Sequence, residues 1–167
     1  MPAAITIRRA GPADRPHLRQ AIVELQNYER ALHLTRLPGE QVADVYLDWL
    51  QQQAETQNGA MLVAESDGAF AAFVVGWIEV AEILTETADS NRFGYVSDLC
   101  VMPALRGRRI AEQLLRAIEP RLRQAGVVRI RINALAANSS ARTSYERAGY
   151  APYEVMHEKA FEPERGT

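Results

Sequence analysis

Residues 95–122 restrict the fold of this chain more than any other stretch. Residues 95–101 are largely β-branched or apolar, and Met102-Pro103-Ala104-Leu105-Arg106-Gly107-Arg108-Arg109 follows with no periodicity. Ile110, Leu114, Leu115, Ile118 and Leu122 then recur at helical spacing. The order predicts strand, tight basic turn, helix. The first turn of a helix leaves backbone N–H groups unpaired at the positive end of its dipole, which suits an anion. Arg106, Arg108 and Arg109 at that opening add charge able to neutralise phosphate. A solvated basic turn would read the same in isolation, so the remainder of the chain has to decide.

With 167 residues and 47% hydrophobic content, the chain is expected to form one domain over 1–167 with a core of its own. No run is long enough to cross a membrane, and residues 1–9 read as a strand rather than a signal peptide. The single cysteine, Cys100, excludes an internal disulfide and a cysteine-based metal site, and the expected compartment is a reducing cytoplasm. A net charge of −2 argues against a dedicated nucleic-acid binder. Its distribution says more. Residues 1–104 hold 7 Arg against 14 Asp and Glu, whereas residues 105–131 hold 8 Arg against Glu112 and Glu119. An acidic first half beside a basic centre suits an anionic ligand on one side and a cation on the other. Arg129 and Arg131 alternate with apolar residues and no aromatic stacking motif accompanies them, which disfavours RNA.

In chain order, Ile5-Thr6-Ile7-Arg8 alternates as a first strand. Gly11-Pro12-Ala13-Asp14 turns into a helix carrying Leu18, Ile22, Leu25 and Leu32 as far as Leu34. Leu37-Pro38-Gly39 breaks it. Val42, Val45, Tyr46, Trp49 and Leu50 mark one apolar face of a second helix that stops near Asn58-Gly59. Residues 61–64 and 70–80 form a hairpin about Ser66-Asp67-Gly68, and the unbroken run Phe73-Val74-Val75-Gly76-Trp77 puts its second strand mid-sheet. Residues 81–92, with Glu82, Glu86 and Asp89, read as an exposed loop. The helix from Ile110 is expected to reach Ala125-Gly126, kinked or thinned at Pro120. Val128, Ile130 and Ile132 alternate in a strand. Asn138-Ser139-Ser140 caps a last helix that Gly149 ends, and residues 153–161 are expected as a final strand. The order β-α-α-β-β-β-α-β-α-β makes an α/β sandwich with strands of mixed direction.

The sequence carries no Walker, dinucleotide, zinc-protease, paired-cysteine or serine-hydrolase motif. His17, His33 and His157 share no motif, and no metal is expected. Two motifs do stand in order. One is Arg106-Gly107-Arg108-Arg109-Ile110-Ala111; the other is Asn138-Ser139-Ser140-Ala141-Arg142-Thr143-Ser144-Tyr145-Glu146-Arg147-Ala148-Gly149-Tyr150. Together they resemble the [QR]-x-x-G-x-[GA] turn and the Asn-x-x-Ala-x-x-x-Tyr-x-x-x-Gly-[Phe/Tyr] helix of the Gcn5-related N-acetyltransferases (GNAT). The element order matches that superfamily over nearly the whole chain.

The resemblance implies a GNAT-like α/β fold, with a mixed, mostly antiparallel central sheet flanked by helices on both faces. It implies transfer of acetyl from acetyl-CoA to a primary amine by direct attack. The main chain of Leu99, Cys100 and Val101 is implied to pair with the pantetheine arm like an added strand. The turn through Arg106, Gly107, Arg108, Arg109, Ile110, Ala111 and Glu112 is implied to cradle the pyrophosphate. Asn138, Ser139, Ser140 and Ala141 would line the arm from the other side. Tyr145 is implied as the general acid for the departing thiolate, a role that suits a phenol neutral at pH 7.

Two positions depart from the family pattern. Arg109 stands where glycine is usual, at a cost on the order of 1 kcal/mol if its φ is positive. It still offers its backbone N–H, so CoA binding is expected to survive. Polyamine-acetylating relatives carry Glu just before the position of Asp98, and here Ser97 takes its place. Asp98 is the only carboxylate on its strand and the candidate general base. Alternation sends it to the face opposite Ser97 and Leu99, which leaves a structural role open as well. Glu24, Glu29 and Glu79 are reserves for the base, and Cys100 is expected in the core. The acidic first half favours a small cationic amine or a peptide amine as acceptor, with no nucleic acid or membrane as partner. Dimers are common in the superfamily, but no segment specifies a homodimer here. A non-catalytic CoA-binding sensor or interaction module is the competing reading, supported by Arg109 and Ser97.

Overall fold

The computed structural model describes residues 4–161. Its strands are β1 (Ile5–Arg9), β2 (Ala60–Ser66), β3 (Ala69–Val80), β4 (Arg92–Val101) and β5 (Ile130–Ile132), and they form one sheet in chain order. The first four pair antiparallel in succession, and β5 lies parallel to β4. Helices α1 (Arg15–Leu32) and α2 (Gly39–Thr56) cover one face; α3 (Ile110–Arg123) and α4 (Ser139–Arg147) cover the other. The expected α/β sheet, mostly antiparallel and flanked on both faces, is what the chain forms.

Local chemistry explains the elements. Asp67 and Gly68 both adopt positive φ (51° and 81°), as a two-residue hairpin turn between β2 and β3 requires. The central strand β3 sends Phe73, Val75 and Trp77 into the core beneath α1 and α2, and Ala72, Val74 and Ile78 into the core beneath α3. Burial on both faces accounts for its unbroken apolar run. At Gly39 a Cβ would lie 2.7 Å from the main chain of Val23, so only glycine lets α2 begin against α1. On α3, Ile110, Leu114, Leu115, Ile118 and Leu122 are all fully buried. Each contributes roughly 1.5–3 kcal/mol.

Four boundaries differ from the sequence reading. The first helix ends at Leu32 because His33 turns to extended backbone. The third ends at Arg123 with Pro120 in its last turn, where the Gln124 N–H still closes on the Pro120 carbonyl at 3.1 Å. Val128 lies outside β5 and is 74% exposed, so the inward alternation begins only at Ile130. Residues 153–161 do not form a strand in the chain. Their pattern suits one, but a strand needs a neighbour, and none of the described strands comes alongside.

Candidate active site

The site begins where two strands part. β4 pairs with β5 only at Gly94, Tyr95 and Val96, so the β4 edge at residues 97–101 has no strand beside it. That edge opens on a cavity of about 340 Å³. Leu99, Cys100 and Val101 form one wall, Ile110, Ala111 and Glu112 of α3 a second, and Asn138, Ser139, Ser140 and Ala141 with Tyr145 a third. Leu25 and Tyr28 of α1 close the side.

The turn into α3 is built for main-chain contact. Met102 N–H donates to the Ala71 carbonyl at 2.9 Å, and one 3₁₀ turn spans Pro103–Leu105. Gly107 and Arg109 both lie in the left-handed region, at φ 80° and 58°. Arg109 therefore does carry the backbone cost foreseen for it, about 1 kcal/mol. No side chain caps the α3 N-terminus, which leaves the N–H groups of Ile110, Ala111 and Glu112 without helical partners. Arg106 folds back, donating from Nε to the Val101 carbonyl at 3.2 Å with its guanidinium 5.0 Å from the Tyr28 ring centre. Arg108 is exposed and is not part of the cavity wall. Across the cleft, Asn138 accepts from the Ala141 N–H at 3.1 Å, so its buried side chain caps α4 and aims a second helix N-terminus at the same space.

Tyr145 sits against the α3-side core and lines the cavity. Burial, reinforced by the negative charges of Glu29 and Asp98, pushes its phenol above the ordinary value, so it stays protonated at neutral pH.

The alternation expected on β4 is broken by a bulge. Val75 pairs with Asp98 and Gly76 with Val96, leaving Ser97 without a partner. Ser97 is consequently not on the opposite face from Asp98: its Oγ donates to Asp98 Oδ2 at 2.6 Å, and Tyr46 Oη donates to the same oxygen at 2.9 Å. Burial raises the Asp98 pKa; the bonds from Ser97 and Tyr46 oppose that rise. The bulge turns this carboxylate toward α2.

An aromatic row, not foreseen in the sequence, adjoins it. Tyr46 stacks on Trp49 at 5.6 Å, Trp49 meets Trp77 edge-on at 5.5 Å, and Trp77 meets Tyr95 edge-on at 5.7 Å. Trp77 Nε1 donates to Glu79 at 2.7 Å, and Glu29 pairs with Arg36 at 2.9 Å. Two signals could have found the row: Tyr46 and Trp49 share a helix face, and Trp77 pairs with Tyr95 across the strands. The second is readable only once the register is known.

Two of the loop carboxylates, Glu86 and Asp89, have partners of their own. Glu86 accepts from Tyr153 Oη at 3.2 Å and Asp89 pairs with Arg129 at 2.9 Å, so neither is free for a ligand. Glu24 bonds only to Gln20 among the described residues, at 3.3 Å. Cys100 is buried and its thiol is pushed up to about 12, which makes it inert at neutral pH. Among the described residues no His, Cys, Asp and Glu group could hold a metal, and no helix is long and apolar enough to cross a membrane.

Known proteins share this architecture. A sequence model of the acetyltransferase (GNAT) family matches residues 23–150. No curated protein matches the chain. Among solved structures, a GCN5-related N-acetyltransferase from Ralstonia eutropha is similar at a TM-score of 0.72 and 19% identity, with 94% of this chain and 99% of that one covered. The aminoglycoside N-acetyltransferase AAC(6')-Iy in complex with CoA aligns at 0.66 and 16%, covering 95% and 100%. Glucosamine-6-phosphate N-acetyltransferase from Arabidopsis thaliana aligns at 0.62 and 16%, covering 95% and 99%. With its two motifs set on one cleft and the family match spanning most of its length, the chain belongs to the GNAT family of acetyltransferases, which draw on acetyl-CoA.

Proposed function

We propose that the protein acetylates a small cationic primary amine, which attacks the thioester of acetyl-CoA directly in the cleft between β4 and β5. One observation carries this reading: the uncapped N-terminus of α3, the unpaired edge of β4 and the neutral Tyr145 phenol all meet on a single cavity. The main chain of Leu99, Cys100 and Val101 offers strand-like pairing to the amides of the pantetheine arm. The N–H groups of Ile110, Ala111 and Glu112 receive the pyrophosphate, with charge from Arg106, Arg108 and Arg109. Asn138, Ser139, Ser140 and Ala141 line the opposite wall. Acetyl-CoA supplies a carbonyl activated toward amines.

Asp98 is the base. Held by Ser97 and Tyr46, it takes a proton from the acceptor ammonium, and the freed amine attacks the carbonyl. Tyr145 donates its proton to the sulfur as the carbon–sulfur bond breaks, and the proton still to leave the attacking nitrogen restores the phenol. Tyr46 and the half-exposed Trp49 stacked on it, with Asp98 bonded to Tyr46, support a cationic acceptor, because aromatic faces and carboxylates both attract cations. Two proteins of similar fold are named for acetylating aminoglycosides and glucosamine 6-phosphate, which favours a small amine over a peptide. A reducing cytoplasm suits the single, free, buried Cys100.

The test is acetyl-CoA-dependent thiol release against polyamines, aminoglycosides, amino acids and short peptides. Turnover with a cationic small amine is expected, and Tyr145→Phe should lower kcat by about 10²-fold with CoA affinity unchanged. Tight CoA binding with no turnover across the panel would move the assignment to a non-catalytic CoA-binding module. Absence of CoA binding would refute the cleft reading itself.

A further inference from the structure

Lys159 is the only lysine among the 167 residues, against 18 Arg. A chain read as acetylating primary amines thus carries a single side chain that is chemically an acceptor. Guanidinium groups stay protonated and do not take its place as nucleophiles.

The sheet determines where that lysine stands. Arg131 pairs with Tyr95 across β5 and β4, so their side chains share a face, and Tyr95 packs against the α1–α2-side core. Arg131 lies 4.6 Å from the Tyr153 ring centre, and Tyr153 Oη donates to Glu86 at 3.2 Å. Further along, Glu158 meets His33, just past the end of α1, at 3.4 Å. Residues 153–158 therefore cross the α1–α2 face, the one toward which the bulge turns Asp98.

The reach is sufficient. Asp98 stands three residues along β4 from Tyr95, about 10 Å at strand spacing. With Tyr153 still held, the six residues to Lys159 extend up to about 20 Å before the lysine side chain is counted. Residues 151–161 are all exposed, and among the described residues no main-chain hydrogen bond joins them to the rest of the molecule. The Lys159 ammonium lies 5.3 Å from the Phe161 ring centre and pairs with no carboxylate among the described residues.

We propose, resting on the acetyl transfer inferred above, that Lys159 is a self-modification site, acetylated on Nζ by the active site of its own chain. The Lys159 ammonium gives one proton to Asp98, and the freed Nζ lone pair bonds to the thioester carbon. The carbon–sulfur bond breaks, Tyr145 protonates the sulfur, and a second Nζ proton restores the phenol. The products are acetyl-lysine and CoA, and the side chain loses its charge.

The test is to incubate the protein with acetyl-CoA and no other amine, then weigh it intact and map its peptides by mass spectrometry. One acetyl group, a gain of about 42 Da, is expected at Lys159. Its rate should not depend on protein concentration, as transfer within one chain requires. Tyr145→Phe should slow it about 10²-fold. Lys159→Arg should gain no mass and turn over small amines as the wild type does. Equal rates in the wild type and Tyr145→Phe would mean plain chemical acylation and overturn the proposal. So would a rate that rises with protein concentration, because the transfer would then run between copies. Turnover of small amines with Lys159 left unmodified overturns this inference alone. If neither small amines nor Lys159 take up acetyl while CoA binds, the proposed transfer falls with it.

Discussion

On the α3–α4 face the cleft is walled largely by main chain, namely the loose edge of β4 and the first turns of two helices. On the α1–α2 side it is closed by the side chains of Leu25 and Tyr28, and next to the β4 edge stand Asp98 on its bulge, Tyr46 bonded to it, and an aromatic row running to Tyr95. The difference teaches where each half tolerates change. A wall of N–H and C=O groups keeps its chemistry when the residue type changes, which is how Arg109 can occupy a left-handed position without removing a donor. A wall of side chains keeps nothing when one is replaced. On the function proposed above, affinity for the anionic cosubstrate falls to the first half and choice of acceptor to the second.

The sharpest way to break this contrast is Asp98→Asn. It should lower kcat/KM by about 10²- to 10⁴-fold in a thiol-release assay and leave the Kd for CoA, read by calorimetry, where it was. An equal loss of CoA affinity would mean the halves are not separable. Tyr46→Phe should do less and do it selectively. Tyr46 donates to the ionised carboxylate, so its bond lowers the Asp98 pKa, and removing it raises that pKa further. Because the ionised form is the base, the acidic limb of the pH–rate profile should move to higher pH, with the plateau reduced less than about tenfold. A limb that moves to lower pH, or stays in place, would deny Asp98 the role. The smallest effect tests the main-chain half. Arg109→Gly should relieve about 1 kcal/mol of backbone strain, raising the melting temperature by roughly 2–4 °C. CoA should weaken by no more than about fivefold, through loss of an exposed charge. A larger loss would make Arg109 a side-chain ligand and blur the distinction.

The main-chain half was readable in advance because its requirements are local. A strand, a turn with glycine at one left-handed position and a helix opening in sequence order specify where N–H groups will point. Asn138 three residues before Ala141 specifies a cap. The side-chain half was only partly readable. Asp98 was found as the lone carboxylate on its strand, but its partners were not, because Ser97 reaches it through a bulge and Tyr46 through the docking of α2. Glu86 and Asp89 looked available in the sequence and are occupied by Tyr153 and Arg129, partners far along the chain.

The final segment gives the same lesson at the scale of an element. Its alternation reads as a strand, and within one chain it is not one, since pairing is a property of two segments and none of the described strands lies beside it. The sequence by itself determined the element order, the central position of β3 and the anion-ready turn, because periodicity and turn chemistry act over a few residues. Only the tertiary structure decided the register of the bulge, the aromatic row and the fate of the last strand. Those depend on which distant surfaces come into contact, and that follows from packing rather than from local preference.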